Sequence, residues 1–298
     1  MSRTYNEADQ PVQFDPAQVN AKRSELLAFY ENKTQAILRR YGPGPRVHYH
    51  TGLVEDDRNI GQTDARRLRE LLILSQENLL RYAAKIWKLD SLAGCEILDV
   101  GCGLGGAALF LAQEFGVRVT ALTIAPSHAE LVRQFAAQAG VSELVIPMVG
   151  DALEVSGENR FDAAIAIDSS SSFPRAPWFR RLATVLCPGG RVLIADCFLE
   201  DRKYEQAFNA HWCAQIGTLS EYLHAAQTAG FSQEAIQDVS VQARQFWSLS
   251  LSLMRHEETA RNPDASSSAR LKVSRQMHRL VREGLASGGL RHLLLSFS

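Results

Sequence analysis

Three features are scarce in this sequence of 298 residues: paired cysteines, an excess of charge of one sign, and long uninterrupted apolar runs. The five cysteines are odd in number and scattered, and none of them forms a C-x-x-C pair. This pattern argues against a disulfide framework and against a zinc site, so we expect no bound metal. It is typical of proteins of the reducing cytoplasm, which is the location we expect.

Charge and hydropathy exclude two classes of partner. The formal net charge is −1, with 32 Lys and Arg against 33 Asp and Glu, so the basic excess typical of nucleic-acid-binding proteins is missing. The most apolar region, residues 107–126, is interrupted by Glu114, Gly116 and Arg118, which argues against a membrane span. The first residues, MSRTYNEADQ, are polar, so we expect no signal peptide.

Strand and helix patterns alternate through the centre of the chain. Strands are predicted at residues 95–100, 117–122, 144–149, 162–167, 191–197, 235–242 and 291–297. Helices are predicted at residues 19–41, 64–89, 105–115, 127–139, 176–186, 201–213, 219–229, 244–258 and 267–285. This alternation predicts an α/β fold with a seven-stranded, mostly parallel sheet, helices on both faces and an antiparallel end.

The same pattern suggests a division of the chain. We interpret residues 1–90 as an N-terminal helical cap or lid, of which residues 1–17 are expected to be loosely attached. Residues 91–298 then form the core, with insertions at about 200–230 and 244–285 that border a pocket.

A glycine-rich loop, in the string EILDVGCGLGG, directly follows the first central strand. Glycine is favoured where the backbone turns tightly or approaches a ligand closely. Gly101, Gly103 and Gly106 satisfy the dinucleotide fingerprint G-x-G-x-x-G. Gly101, Gly103 and Gly105, with Asp99 ahead of them, equally satisfy the D-x-G-x-G loop that holds S-adenosylmethionine. The loop alone therefore leaves two ligands open.

Residues at the ends of the second and third strands favour one of these ligands. A dinucleotide site has an acid at the end of the second strand for the ribose hydroxyls, but Thr123 stands there. The third strand ends in VGDAL, where the carboxylate of Asp151, followed by Ala152, can accept from an adenine amino group. The string LCPGGRVLIAD then turns into the fifth strand. An NAD oxidoreductase remains the less favoured alternative.

In this order and spacing, the glycine loop, GDA and PGG resemble class I S-adenosylmethionine-dependent methyltransferases over about residues 60–200. The resemblance implies a Rossmann-like methyltransferase fold and S-adenosyl-L-methionine as the cofactor. The cofactor-binding residues that it implies are Asp99, Gly101, Gly103 and Gly105 for the methionine part, Thr123 for the ribose, and Asp151 and Ala152 for the adenine, with Asp168 as a further candidate. Thr123 departs from the usual acid, and its ending TIAPS is similar to a T-x-S ending in a subset of small-molecule methyltransferases.

Two segments outside the cofactor loops are candidates for contacting the acceptor. VHYHTGLV holds His48, Tyr49 and His50, and it resembles the H-x-G element that covers the cofactor in sugar, sarcosine-type and terpenoid methyltransferases. We interpret it as a lid that touches the cofactor, the acceptor or both; an ordered loop with satisfied histidines is the alternative. In IAIDSSSSFPRAPWF, Asp168 ends the fourth strand, where the terpenoid C-methyltransferases carry a glutamate.

These segments suggest a chemistry. When an alkene carbon attacks a methyl group, positive charge develops on the acceptor, and a carboxylate and aromatic faces stabilise it. The candidate catalytic residues are Asp168, His48, His50 and Tyr49, and the candidate aromatic faces are Phe173, Trp178, Phe179 and Trp212. A cofactor-loop or helix-cap role is the alternative for Asp168, and core packing is the alternative for the aromatic residues.

The strings FNAHWCAQIGTLSEYLHAAQTAGF and LVREGLASGGLRHLLL loosely resemble the C-terminal half of the geranyl diphosphate C-methyltransferases. This resemblance favours C-methylation of an isoprenoid or prenyl alkene carbon in natural-product biosynthesis. A diphosphate needs a basic pocket, for which Arg175, Arg180, Arg181 and Arg244 are the candidates. The four serines 169–172 stand where the geranyl diphosphate enzymes have a more polar and aromatic string, so an acceptor without a diphosphate group remains an alternative. So do N- or O-methylation and a non-methylating, S-adenosylmethionine-binding cyclase. The expected partner is a small-molecule acceptor rather than nucleic acid or a membrane, and a homo-oligomer is left open.

Overall fold

A seven-stranded sheet sets the positions of the other elements. The computed structural model describes residues 16–55, 63–260 and 265–298. The strands are β1 (Glu96–Val100), β2 (Arg118–Thr123), β3 (Val145–Val149), β4 (Phe161–Ile167), β5 (Leu186–Leu199), β6 (Gln233–Asp238) and β7 (Leu290–Phe297). They lie in the order β3-β2-β1-β4-β5-β7-β6. The first five in that order are parallel, and β7 runs antiparallel to both neighbours, so the predicted sheet is confirmed.

Helices cover both faces of the sheet. They are α1 (Pro16–Tyr41), α2 (Ala65–Trp87), α3 (Gly106–Phe115), α4 (Pro126–Gln138), α5 (Arg175–Val185), α6 (Glu205–Trp212), α7 (Leu219–Thr228), α8 (Ser240–Ala260) and α9 (Ala265–Ser287). Alternate residues of each central strand enter opposite cores: Ile97 packs with α2, α3 and α8, whereas Leu98 packs with α5 and α7. Among the helices within the described ranges, none has the length and hydropathy that crossing a bilayer requires.

The order of the strands creates a crevice. The chain winds from β1 outward to β2 and β3, and then returns to the other side of β1 as β4. In such a sheet the loops at the carboxyl ends of the two central strands diverge, and ligands bind in the space between them. The loops after β1 and β4 contain the glycine string and Asp168, so the fold brings these two sequence-predicted features to one place.

Some boundaries differ from the sequence-based prediction. The strand expected at 235–242 ends at Asp238, and α8 begins at Ser240, because the Asp238 carboxylate accepts from the Ser240 backbone N–H at 2.8 Å. The PGG string lies inside β5 rather than before it, where the pairing register with β4 shifts between Phe161 and Ala163. The expectation for residues 1–15 lies outside the described residues. The division into a cap and a core stays a prediction.

Residues 47–53, which connect α1 towards α2, are fixed to α2. The buried Gln76 side chain donates to the carbonyls of His48 (3.2 Å) and His50 (2.7 Å). The Leu53 N–H donates to the Ser75 carbonyl at 2.8 Å. A Cβ added to Gly52 would lie 2.5 Å from Ser75 Oγ, so only glycine permits this approach. Residues 47–53 are therefore held in one conformation by buried hydrogen bonds.

We expect Gln76→Leu to destabilise the protein by about 2–4 kcal/mol, because two buried carbonyls would lose their donor. The matched control is Gln134→Leu, which removes an exposed hydrogen bond to Glu130 on α4 and should change stability by less than about 0.5 kcal/mol. Urea unfolding followed by circular dichroism measures both. Equal stabilities of the two variants would contradict this role of Gln76.

Candidate active site

The glycine loop adopts a conformation that glycine favours. Gly101, Gly103 and Gly105 have φ angles of 78°, 55° and 80°, all in the left-handed region. A Cβ at Gly101 would lie 2.8 Å from Ser169 Cβ, and one at Gly105 would lie 2.9 Å from Val132 Cγ2, whereas one at Gly103 would meet nothing within 4 Å. The loop therefore packs against protein on two sides and opens towards the crevice at Gly103.

Gly106, the first residue of α3, has a different role from the other glycines. A Cβ there would lie 2.5 Å from the Val47 carbonyl oxygen and 2.7 Å from His48 Nδ1. The lack of a side chain thus lets residues 47–53 pass directly over the start of α3. This glycine, which matched the dinucleotide fingerprint in the sequence, serves the contact with the histidine segment.

Asp99 lies at the end of β1 with one oxygen free. The residue is 2% exposed, lines the crevice, and its Oδ2 has no hydrogen-bond partner within the described part of the chain. Burial raises the pKa of its carboxyl group to about 7. A buried carboxylate without a donor is unfavourable, so this position fits a ligand that brings a positively charged N–H group.

The predicted ribose and adenine residues line the same crevice. Thr123 Oγ1 accepts from the Ala125 N–H at 3.2 Å, so the hydroxyl proton remains available to a ligand. Asp151 Oδ1 accepts from the Leu153 N–H at 2.8 Å, and Oδ2 lies 3.9 Å from Nε of Arg23 on α1. The carboxylate of Asp151 thus accepts a hydrogen bond within its own turn and also faces the guanidinium group of Arg23. Ala152, the next residue, is buried.

Asp168 is held by the histidine segment. It follows β4 in a left-handed conformation (φ 47°), and its Oδ2 accepts from the Thr51 N–H at 2.6 Å. Its Oδ1 has no hydrogen-bond partner among the described residues and lies 3.8 Å from Nε2 of His292 on β7. Burial raises the pKa of Asp168 to about 6. Sequence reasoning missed His292, because nothing around it in RHLLLSF differs from a buried strand.

The rings of His48, which is buried, and His50, which is half-buried, contact each other. His50 Nε2 lies 3.2 Å from His48 Nδ1, and His50 Nδ1 lies 2.7 Å from the Thr51 carbonyl oxygen. Burial lowers the pKa of both, that of His50 to about 3, so both rings are neutral near pH 7. Tyr49, between them, lines the crevice with its ring centroid 5.8 Å from that of Tyr41. Within the described ranges no group of three metal-ligating side chains was found.

A second buried carboxylate, which sequence reasoning also missed, explains part of the serine string. Asp196 on β5 accepts from Ser170 Oγ at 2.6 Å, from the Ser171 N–H at 3.1 Å and from the Cys197 N–H at 2.7 Å. Burial raises its pKa to about 6, and the neighbouring charge of Asp168 acts in the same direction. Ser169 Oγ donates to the Val100 carbonyl at 2.6 Å. The serines therefore connect β1, β4 and β5 below the crevice.

The aromatic candidates divide into two groups. Phe173 and Trp212 line the crevice, as predicted. Trp178 and Phe179 do not, because α5 turns them into the core beneath the sheet, where both are fully buried. Other crevice-lining aromatic residues, which sequence reasoning did not name as candidates, are Tyr30 of α1, Phe208 of α6, and Phe246 and Trp247 of α8. The last three lie in the two insertions that the sequence predicts to border a pocket.

The crevice opens into one cavity of about 350 Å³. Of the described residues that line it, Arg23 is the only arginine, and no lysine is among them. The candidate arginines 175, 180, 181 and 244 are not in its wall. Arg175 instead donates to the Gln215 carbonyl at 3.0 Å and pairs with Glu221 at 3.1 Å. The basic pocket suggested for these four arginines is therefore wrong.

Comparisons with known proteins agree with this geometry. A family model described as a methyltransferase domain matches residues 97–190. The chain is 28% identical over 176 residues to a tocopherol O-methyltransferase of Arabidopsis thaliana, an alignment that covers 58% of this chain and 49% of that enzyme. The chain thus spans about half the length of that relative. It is 25% identical to a geranyl diphosphate 2-C-methyltransferase of Streptomyces lasalocidi, over 78% of this chain and 82% of that enzyme.

A solved structure extends the likeness to nearly the whole fold. Geranyl diphosphate C-methyltransferase from Streptomyces coelicolor A3(2), in complex with Mg²⁺, geranyl-S-thiolodiphosphate and S-adenosyl-L-homocysteine, superposes with a TM-score of 0.78. The superposition covers 96% of this chain and 99% of that one at 18% identity. At this identity the likeness establishes the fold.

We expect Asp99→Asn to stabilise the ligand-free protein at high pH. The folded-state pKa of Asp99 lies above its ordinary value, so ionisation disfavours folding, and stability falls as pH rises from about 4 to about 7. Thermal unfolding should show the variant melting several degrees above the wild type at about pH 8, and close to it at about pH 4. The exposed Asp90→Asn is the matched control. A difference that does not vary with pH would contradict the raised pKa of Asp99, and a variant less stable than the wild type at about pH 8 would mean that Asp99 has an ionic partner in the folded protein.

Proposed function

This chain carries an S-adenosylmethionine-dependent methyltransferase domain, and on that premise we propose that it methylates an uncharged, isoprenoid-like small molecule. The preferred chemistry is C-methylation of a prenyl alkene carbon. The resemblance to class I methyltransferases, the assignment as an enzyme and S-adenosyl-L-methionine as the cofactor are confirmed. The observation that carries the finer proposal is Asp168 in the wall of the cavity: its side chain is 19% exposed, but its Oδ1 is buried and has no hydrogen-bond partner among the described residues.

The cofactor end of the cavity is assigned to the loops after β1, β2 and β3. S-adenosylmethionine supplies an electrophilic methyl group on a sulfonium. The free Asp99 Oδ2 fits the cofactor's ammonium group, and the open side of Gly103 gives the chain of the methionine part room. Thr123 and Asp151 each keep one polar atom for the ribose and the adenine amino group.

The acceptor end lies between β4, β5 and the C-terminal helices. Tyr30, Phe173, Trp212, Phe246 and Trp247 make its wall largely aromatic. Such faces attract a developing positive charge, and Asp168 adds a carboxylate whose free oxygen can stabilise that charge or accept the proton that leaves. The aromatic wall and the acid together support attack by a carbon nucleophile.

The charge of the cavity wall supports an uncharged acceptor. Among the described residues of the wall the single arginine is Arg23, and it faces Asp151 at the cofactor end rather than the acceptor end. Asp168 and Asp196 are both in the wall and would repel a diphosphate. We therefore favour a prenylated or terpenoid acceptor without a diphosphate group.

Residues 47–53 are proposed to shield the reacting groups from water. His48, Tyr49, His50 and Thr51 form one wall of the cavity, and their backbone is fixed by Gln76 and by the contact with Gly106. A closed, rigid wall holds Asp168 in place through the Thr51 N–H and limits hydrolysis. The natural-product role, the cytoplasmic location and the oligomeric state stay predictions.

N- or O-methylation is the second candidate. It is supported by the neutral His292 ring, whose Nε2 lies 3.8 Å from Asp168 Oδ1. Either group can accept the proton that leaves a nitrogen or oxygen nucleophile. A non-methylating cyclase would bind the cofactor in the same loops but would release no S-adenosylhomocysteine. Product analysis separates all three.

The first test is an incubation of the purified protein with S-adenosylmethionine and a panel of prenyl diphosphates, prenylated indoles, amines and phenols. We expect release of S-adenosylhomocysteine and, by mass spectrometry, a product with one added methyl group on an isoprenoid carbon. Diphosphates should be poor acceptors, because no Lys or Arg is among the described residues that we assign to the acceptor end. A methyl group on nitrogen or oxygen would favour the second candidate. Cofactor binding without turnover on any compound would contradict the proposal.

Two variants separate the acceptor role from the cofactor role. Asp168→Asn keeps an oxygen for the Thr51 N–H but removes the charge, so kcat should fall by about 100-fold or more with cofactor affinity nearly unchanged. Asp151→Ala should weaken cofactor binding by about 1–3 kcal/mol and leave kcat at saturation nearly unchanged. Calorimetry with S-adenosylhomocysteine and steady-state kinetics measure both. Equal losses of kcat and affinity in Asp168→Asn would make Asp168 a cofactor-binding residue.

A further inference from the structure

Two buried polar atoms face each other in the cavity wall without a hydrogen-bond partner. Asp168 Oδ1 and His292 Nε2 lie 3.8 Å apart, which is too long for a direct hydrogen bond. Neither atom has another partner within the described part of the chain, and both residues line the cavity. An unsatisfied buried polar group costs roughly 1–3 kcal/mol, so a ligand atom that bonds to both would recover free energy at this point.

The surrounding structure fixes the Asp168 carboxylate and the backbone of His292. Asp168 Oδ2 is already used by the Thr51 N–H at 2.6 Å, which leaves Oδ1 as the free oxygen. His292 is 1% exposed and lies on β7 opposite Cys197 of β5. Its backbone N–H donates to Ser240 Oγ at 2.9 Å, and its carbonyl accepts from the Val239 N–H at 2.9 Å. The bonded carboxylate of Asp168 and the buried ring of His292, on a strand paired on both sides, therefore form a preformed site.

The chemistry of the pair selects its ligand. Burial lowers the pKa of His292 to about 4, so the ring is neutral near pH 7 and offers one N–H and one lone pair. A hydroxyl group can donate to the carboxylate oxygen and accept from the imidazole N–H at once. A hydrocarbon can do neither, and an anionic phosphate would be repelled by Asp168 and by Asp196 nearby.

We propose that Asp168 and His292 together bind a hydroxyl group of the acceptor, which makes His292 a further substrate-binding residue. The inference rests on the proposed function and narrows its substrate class to hydroxylated isoprenoid-like compounds, with a prenylated phenol as the simplest example. The hydroxyl fixes the orientation of the acceptor, while the aromatic wall contacts its apolar part.

The test compares two probes that differ by one hydroxyl group, 2-prenylphenol and prenylbenzene. Their dissociation constants are measured by calorimetry on the full chain saturated with S-adenosylhomocysteine. We expect the wild type to bind the phenol at least about tenfold more tightly than the hydrocarbon. His292→Leu, which keeps an apolar side chain of similar volume, should reduce that preference below about threefold. His292→Gln, which restores a polar atom, should recover part of it.

The control is His224→Leu, the same substitution at an exposed histidine of α7, which should keep the full preference. Melting temperatures show whether each variant folds. The inference would be overturned if the wild type bound the two probes equally or bound neither of them. An unchanged preference for the phenol in His292→Leu would also overturn it. A hydroxyl preference without methyl transfer to any acceptor would leave this binding site standing and reject the proposed function.

Discussion

The close contact between residues 47–53 and the first turn of α3 is the constraint on which the candidate site depends. Gly106 permits it, because any side chain there would collide with the Val47 carbonyl oxygen at 2.5 Å. The same segment is bonded to Gln76 of α2 and, through the Thr51 N–H, to Asp168. One short stretch of backbone thus joins the cofactor loop, the second helix and the proposed catalytic carboxylate.

The candidate site also contains buried polar atoms that lack hydrogen-bond partners among the described residues. Asp99, Asp168 and His292 each keep one buried polar atom without a hydrogen-bond partner among the described residues, although the free energy of leaving such atoms unpaired is unfavourable. Their pKa values shift in the direction that disfavours charge: up for the two acids and down for the histidine. Such groups are commonly retained at sites where a ligand completes the hydrogen bonds.

The antiparallel end of the sheet contributes residues to the cavity wall. β7 lies between β5 and β6, so the last strand of the chain is central rather than at an edge. This position places His292 beside Cys197 and the loop after β4. The long connection through α8 and α9 that precedes β7 also contributes Phe246, Trp247 and His278 to the cavity wall. The wall of the cavity thus also includes residues that lie far in sequence from the glycine loop.

The sequence by itself determined the sheet, the glycine loop and the cofactor, because these depend on local patterns: apolar strands, glycines at fixed spacing and acids at strand ends. It also indicated Asp168 and the histidine segment, though not that Thr51 joins them. Tertiary structure alone decided which side chains share the cavity. It placed Trp178 and Phe179 in the core, kept the four candidate arginines out of the wall, and brought in Asp196 and His292. The physical reason is that burial and charge compensation depend on contacts between strands and helices far apart in the chain, which no local spacing encodes.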